Sequence, residues 1–257
     1  MAEILAARSS GSWCRPAPLP PRGGCCVTLA NPPERPDPAI YSQDEQISLG
    51  QIPTWDSPDI LTNNDVPWTL YPETQVTVRN LSPTVAAVNA QVQVALGAFG
   101  IGLTRTPLAT QIITLGPSAT ATLKFPLSQA ILQGDQSVGV FVQLYHPNDA
   151  VAINSRGAQV VTGVDTVAAG RHITRAFAVA NPTGAAQAIS LAVLPNTVAA
   201  AVSPSSHAFA PYEQITATLT VTVPGAVHNT REYATVIAHG GGGAAIGGVT
   251  LVISVND

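Results

Sequence analysis

The chain has 257 residues, of which only 10% are Asp, Glu, Lys or Arg, and it carries a formal net charge of −4. That length accommodates two domains with separate cores. The missing basic stripe argues against nucleic acid, and no apolar run approaches the roughly 18 residues of a membrane helix.

Residues 1–54 read as an extended arm. Pro16, Pro18, Pro20, Pro21, Pro32, Pro33, Pro36 and Pro38 favour polyproline-like extension and cannot enter a central sheet. The three cysteines, Cys14, Cys25 and Cys26, all lie here without a C-x-x-C pair. This pattern fits a reducing compartment, with an intermolecular disulfide as the alternative. Met1-Ala2-Glu3 has an acid where a secretory leader is basic, and no lipobox precedes a cysteine. The chain is therefore expected in the cytoplasm or carried on a particle, with the cell surface reachable only by another route. Tyr41 and the alternating run of Ile47, Leu49 and Ile52 predict a strand that joins a neighbour's sheet edge. Trp13 is a further anchor on this arm, and Trp55 sits at its junction with the first module.

The first module is predicted over residues 55–166. Strand-forming alternation runs through Trp68 to Tyr71, Glu73 to Arg79, Val85 to Leu96, Thr110 to Leu115, Thr120 to Pro126, Val138 to Tyr145 and Gln159 to Val164. Residues 97–107 read as a loop with exposed Phe99 and Ile101. Asp56, Asp59, Asn63, Asn64 and Asp65 are dense enough in oxygen to raise calcium, but their spacing is not that of an EF-hand loop, and Asx-rich turns explain them.

The second module is predicted over residues 167–257, with strands from Ile173 to Ala180, Gln187 to Leu194, Val198 to Val202, Ile215 to Val223, Glu232 to His239 and Ile246 to Val255. Its opening repeats that of the first. Val76-Thr77-Val78-Arg79-Asn80-Leu81-Ser82-Pro83 and Phe177-Ala178-Val179-Ala180-Asn181-Pro182-Thr183-Gly184 follow one plan, and each leads to an Ala pair and another alternating run. Further on, Leu115-Gly116-Pro117 and Phe209-Ala210-Pro211 each precede a Thr-Ala-Thr-Leu strand. A repeat near a hundred residues is the size of an immunoglobulin-like sandwich. Asn80 and Asn181 each end a strand, where Asn side chains bond turn backbone. The predicted fold is all-β: two tandem Ig-like β-sandwiches preceded by an extended Pro-rich arm.

Ser57-Pro58-Asp59-Ile60, Val76-Thr77-Val78-Arg79-Asn80 and Leu115-Gly116-Pro117-Ser118-Ala119-Thr120 resemble the CARDB family of Ig-like adhesion and spacer domains. The resemblance spans residues 57–165 and implies a scaffold. The second module is Ig-like only in general terms.

Candidate chemistry is sparse. No two of His146, His172, His207, His228 and His239 have local zinc spacing. His239 and the four glycines after it resemble a lipase oxyanion segment, but no Gly-x-Ser-x-Gly elbow accompanies them, so a glycine hairpin is expected. Gly97 to Gly102 precedes no helix, and the only lysine, Lys124, lies inside a strand, which excludes a phosphate loop. No catalytic residue, cofactor or metal is expected. The charge-poor surface predicts a non-enzymatic structural protein that packs into a homo-oligomer or larger particle. The alternative is an adhesion or carbohydrate- or protein-binding module using loop 97–107 and hairpin 239–248.

Overall fold

The computed structural model describes residues 34–65, 68–225 and 230–256. Trp13, the three cysteines and His228 lie outside the described residues. In chain order the elements are β1 (Pro38–Ala39), α1 (Gln43–Ser48), β2 (Ile60–Asp65), β3 (Trp68–Asn80), β4 (Ala87–Ala98), β5 (Gly100–Ile101), β6 (Thr106–Leu115) and β7 (Thr120–Pro126). They continue with α2 (Gln129–Leu132), β8 (Val138–Tyr145), β9 (Arg156–Ala168), β10 (His172–Ala180), β11 (Gln187–Val193), β12 (Ala199–Ser203), β13 (Ser206–Phe209), β14 (Gln214–Thr222), β15 (Thr230–His239) and β16 (Ala245–Asn256).

The protein is all-β, built as two Ig-like sandwiches. In the first, β3 pairs with β1, β2 and β7. This sheet packs over β9-β8-β4-β6 through Ile60, Val76, Val78, Val92, Val94, Phe125, Val140 and Val142. In the second, the sheet β12-β14-β10-β5 covers β13-β11-β15-β16, around Phe177, Val179, Ile189, Leu219, Val236, Leu251 and Ile253. Alternation dictates these faces: in β14, Ala217, Leu219 and Val221 point inward, whereas Thr216 and Thr220 are exposed.

Strand β9 belongs to both sandwiches. Residues 156–160 pair antiparallel with β8, and residues 161–168 pair parallel with β16. One eight-stranded sheet, β13-β11-β15-β16-β9-β8-β4-β6, therefore runs through the molecule. Arg175 adds a polar tie, donating to Ser137 Oγ at 3.2 Å and Thr162 Oγ1 at 2.9 Å.

The repeated landmarks meet in space. Asn80 is buried at the end of β3 and donates from Nδ2 to the carbonyls of Val85 at 2.8 Å, Leu115 at 3.3 Å and Gly116 at 3.0 Å. Its Oδ1 accepts from the backbone N–H groups of Asp37 at 3.1 Å and Ser82 at 3.2 Å. Asn181 does the same work in the second sandwich, donating to Ala185 O at 2.8 Å and Ala210 O at 2.9 Å, and accepting from Thr183 N at 3.0 Å. The turns they clamp match too. Ser118 and Tyr212, each just after a proline, both have positive φ, 53° and 57°. Their N–H groups donate to Ser82 O at 2.9 Å and Thr183 O at 3.1 Å.

The N-terminal segment departs from expectation. Residues 34–54 lie on their own chain rather than extending away. Ile40 is in the first core, and β1 pairs with the end of β3. Buried Asp59 accepts two bonds from Arg79, both 2.5 Å, and one from Tyr41 N at 2.7 Å, which fastens the segment to the sheet. The strand expected over Ile47 to Ile52 is absent; the end of α1 and the turn that follows it stand there instead. Ser42 caps it, accepting from Glu45 N at 3.4 Å, and Asp44 and Glu45 favour its positive end. Gly50, at φ 68°, lies just beyond its end.

Candidate functional site

A cleft of about 630 Å³ opens where the first sandwich's outer sheet face meets α1 and two connecting segments. Its volume lies within the roughly 300–1,000 Å³ typical of ligand pockets. The floor comes from β4, β8 and β9. Because Val92, Val94, Val140 and Val142 point into the core, strand alternation turns Gln93, Ala95, Phe141 and Gln143 outward into the cleft. Helix α1 supplies Asp44 and Ile47, and the other walls are residues 100–105 and 244–248.

Both connecting segments were expected to be exposed loop tips, and the first is not. Gly100 and Ile101 form β5, which pairs parallel with β10, and Ile101 is 1% exposed in the second core. Glycine permits this docking: Gly102 holds φ at 71°, and a Cβ on Gly100 would stand 2.5 Å from Ala178 O. Phe99 is half-buried, edge-on to Phe177 with centroids 6.4 Å apart. The second segment is the expected glycine hairpin. Gly240 N donates to Ala244 O at 2.9 Å, and Gly243 N to Gly240 O at 3.0 Å, which leaves Ala244 to Gly248 along the cleft.

The remaining interface candidates separate. Tyr41 is half-buried, its hydroxyl accepting from Thr54 N at 3.0 Å. Burial is the main cause raising its phenol pKa, and the Thr54 bond opposes it. Ile47 packs against the second core, whereas Leu49 and Ile52 are 62% and 59% exposed. Trp55 is 3% exposed and belongs to the second core, not to an outer interface. The acidic cluster near residue 60 does not converge on one point. Asp59 is held by Arg79, Asp56 pairs with Arg231 at 3.1 Å, and Asn63 and Asn64 lie within β2. No group of three or more His, Cys, Asp or Glu gathers among the described residues.

The cleft's charge comes from Arg105, Arg156 and Asp44. Arg156 pairs with Asp44 at 3.1 Å. Arg105 instead places its guanidinium 3.9 Å from the centre of the Phe141 ring. Desolvation lowers the Arg105 pKa from its ordinary value; Arg156 adds in the same direction and Asp44 opposes. Gln43 is spent on structure, donating to Thr54 O and Ala158 O at 2.8 and 2.7 Å. Neither His, Cys nor Ser is among the lining residues, and their one carboxylate already has its arginine. The arrangement offers shape, apolar contact and positive charge, with no nucleophile beside a base. Sequence reasoning missed Arg105, Arg156 and Phe141 as a group, because they converge only when β6, β4, β8 and β9 lie side by side.

No protein-family model matches the chain, and no curated protein matches its sequence. Among solved structures, Escherichia coli alpha-2-macroglobulin activated by porcine elastase matches 88% of the chain at 11% identity and a TM-score of 0.29. The trypsin-activated form matches 89% at 10% identity and 0.30. The chain covers only 22% and 18% of those two proteins. The CupB6 tip adhesin of Pseudomonas aeruginosa matches 87% of the chain and 96% of its own length, at 8% identity and a TM-score of 0.28. The class that the coordinates define is an all-β protein of two Ig-like sandwiches. No helix among the described residues is long and apolar enough to cross a membrane.

Proposed function

We propose that this chain is a non-enzymatic binding module of the adhesion type, with residues 55–166 and 167–257 as two units that frame a ligand cleft. The supporting observation is convergence. Residues 100–105 and hairpin residues 244–248 are a hundred and more positions apart, yet they wall one cleft over the outward face of β4 and β8. Clefts with apolar surface and a few placed polar groups are the usual form of a small-ligand site.

A glycan array tests this reading with Thr110→Trp. Thr110 is exposed on β6, stands opposite the outward-facing Gln93 and lines the cleft, so the indole fills the cleft without entering a core. The wild type should retain particular glycans and the variant should lose them, with the melting temperature unchanged. Equal retention by both proteins would refute the cleft as the binding site.

One observation favours a second reading, assembly into a homo-oligomer. Strand β6 ends the eight-stranded sheet, carries no charged residue and exposes Ile112 at 66%. Long uncharged edges invite strand addition. Light scattering should then show oligomers that dissociate when Ile112 becomes Lys. A monomer at micromolar concentration would exclude this reading.

A further inference from the structure

We propose that the cleft takes an acidic sugar, a uronic-acid unit whose carboxylate is held between Arg105 and Arg156. This rests on the cleft being the binding site. The first observation is an imbalance of charge. Two guanidinium groups face one carboxylate, and Asp44 is paired with Arg156. Arg105 has no carboxylate within ion-pair distance among the described residues; its contact is the Phe141 ring. An arginine seated on an aromatic ring keeps its N–H donors for an oxyanion, and guanidinium suits a carboxylate in particular. The electrostatics agree: desolvation and the Arg156 charge both disfavour the Arg105 cation, and the attraction of a bound anion acts against both.

The second observation is the mixture of wall types, which selects among anions. Gln93 and Thr110 offer an amide and a hydroxyl, while Phe141, Ile47 and Ile246 offer apolar surface; the Gln143 amide is taken by Leu144 O at 2.7 Å. A fatty acid would leave the Gln93 amide and the Thr110 hydroxyl without a partner, which is costly. Inorganic phosphate would leave the apolar walls uncovered. A uronate ring has a C–H face, a rim of hydroxyls and one carboxylate, and it satisfies all three kinds of wall. The cleft volume of about 630 Å³ gives room for more than one ring.

The test is calorimetric titration with galacturonic acid trimers and, in parallel, uncharged galactose trimers. The wild type should bind the acidic trimer at least tenfold more tightly than the neutral one. Arg105→Ala should weaken the acidic trimer by roughly 10- to 100-fold, the loss of one charge-assisted bond, and leave the neutral one nearly unchanged. Arg105 is exposed, so the variant should keep the wild-type melting temperature. If acidic and neutral trimers bind equally and Thr110→Trp abolishes both, the acidic preference is wrong and the cleft remains the site. If the acidic trimer binds but neither variant weakens it, both the preference and the cleft fail. No binding of either trimer overturns the sugar assignment, leaving the cleft to be judged by the array.

Discussion

Trp55→Ala should cost roughly 3–5 kcal/mol of stability, the range for deleting a buried aromatic side chain. Trp55 precedes the first sandwich in sequence but is packed into the core of the second. Its backbone N–H donates to Thr250 Oγ1 at 3.3 Å, and its backbone carbonyl accepts from Val160 N at 2.8 Å. The ring lies over Gly248, where a Cβ would approach within 2.5 Å of it. One residue thus joins the N-terminal segment, β9 and β16. Urea unfolding measures the loss, and a change below about 1 kcal/mol would mean the ring does not carry this packing. Gly248→Ala should also destabilise, by roughly 1–3 kcal/mol, because the added methyl displaces the indole.

Asn80→Ala should cost about 3 kcal/mol, and Asn181→Ala a similar amount. Each removes one buried amide that serves several backbone groups, and each stranded group costs about 1–3 kcal/mol before water re-enters. Asn80→Asp should not rescue the site, because a carboxylate oxygen would then face the carbonyls of Val85, Leu115 and Gly116. Thermal unfolding of the two alanine variants checks the equivalence. A large loss at one position and none at the other would show that the repeat is only a likeness of sequence.

The sandwiches were legible because their signals are local. Period-two runs placed Thr120–Pro126 and Val138–Tyr145 to the residue, and the paired Asn and Pro landmarks revealed the repeat. Helix α1 was misread although its start signal, Ser42 with Glu45 three residues on, and its stop signal, Gly50, are both present. The alternation of Ile47, Leu49 and Ile52 competed with those signals, and in a six-residue helix capping outweighs periodicity. Strand β5 and the burial of Ile101 were not legible. Gly100 and Ile101 pair with residues nearly eighty positions later, and nothing in the loop itself marks that partner. Half of the cleft could be read in advance, as loop 97–107 and the glycine hairpin. The arginines could not, since Arg105 and Arg156 are brought together only by the β6-β4-β8-β9 order.

Hydrogen exchange with and without saturating galacturonic acid trimer tests the binding cleft most directly. Amides in the sheet interior exchange slowly in either state, so the informative segments are residues 99–105 and 240–248. Slower exchange in both segments together, absent in Thr110→Trp, is the predicted result. Unchanged exchange in both segments, with new protection only in strands that do not line the cleft, such as β12 Ala199–Ser203, would contradict the cleft as the site of binding.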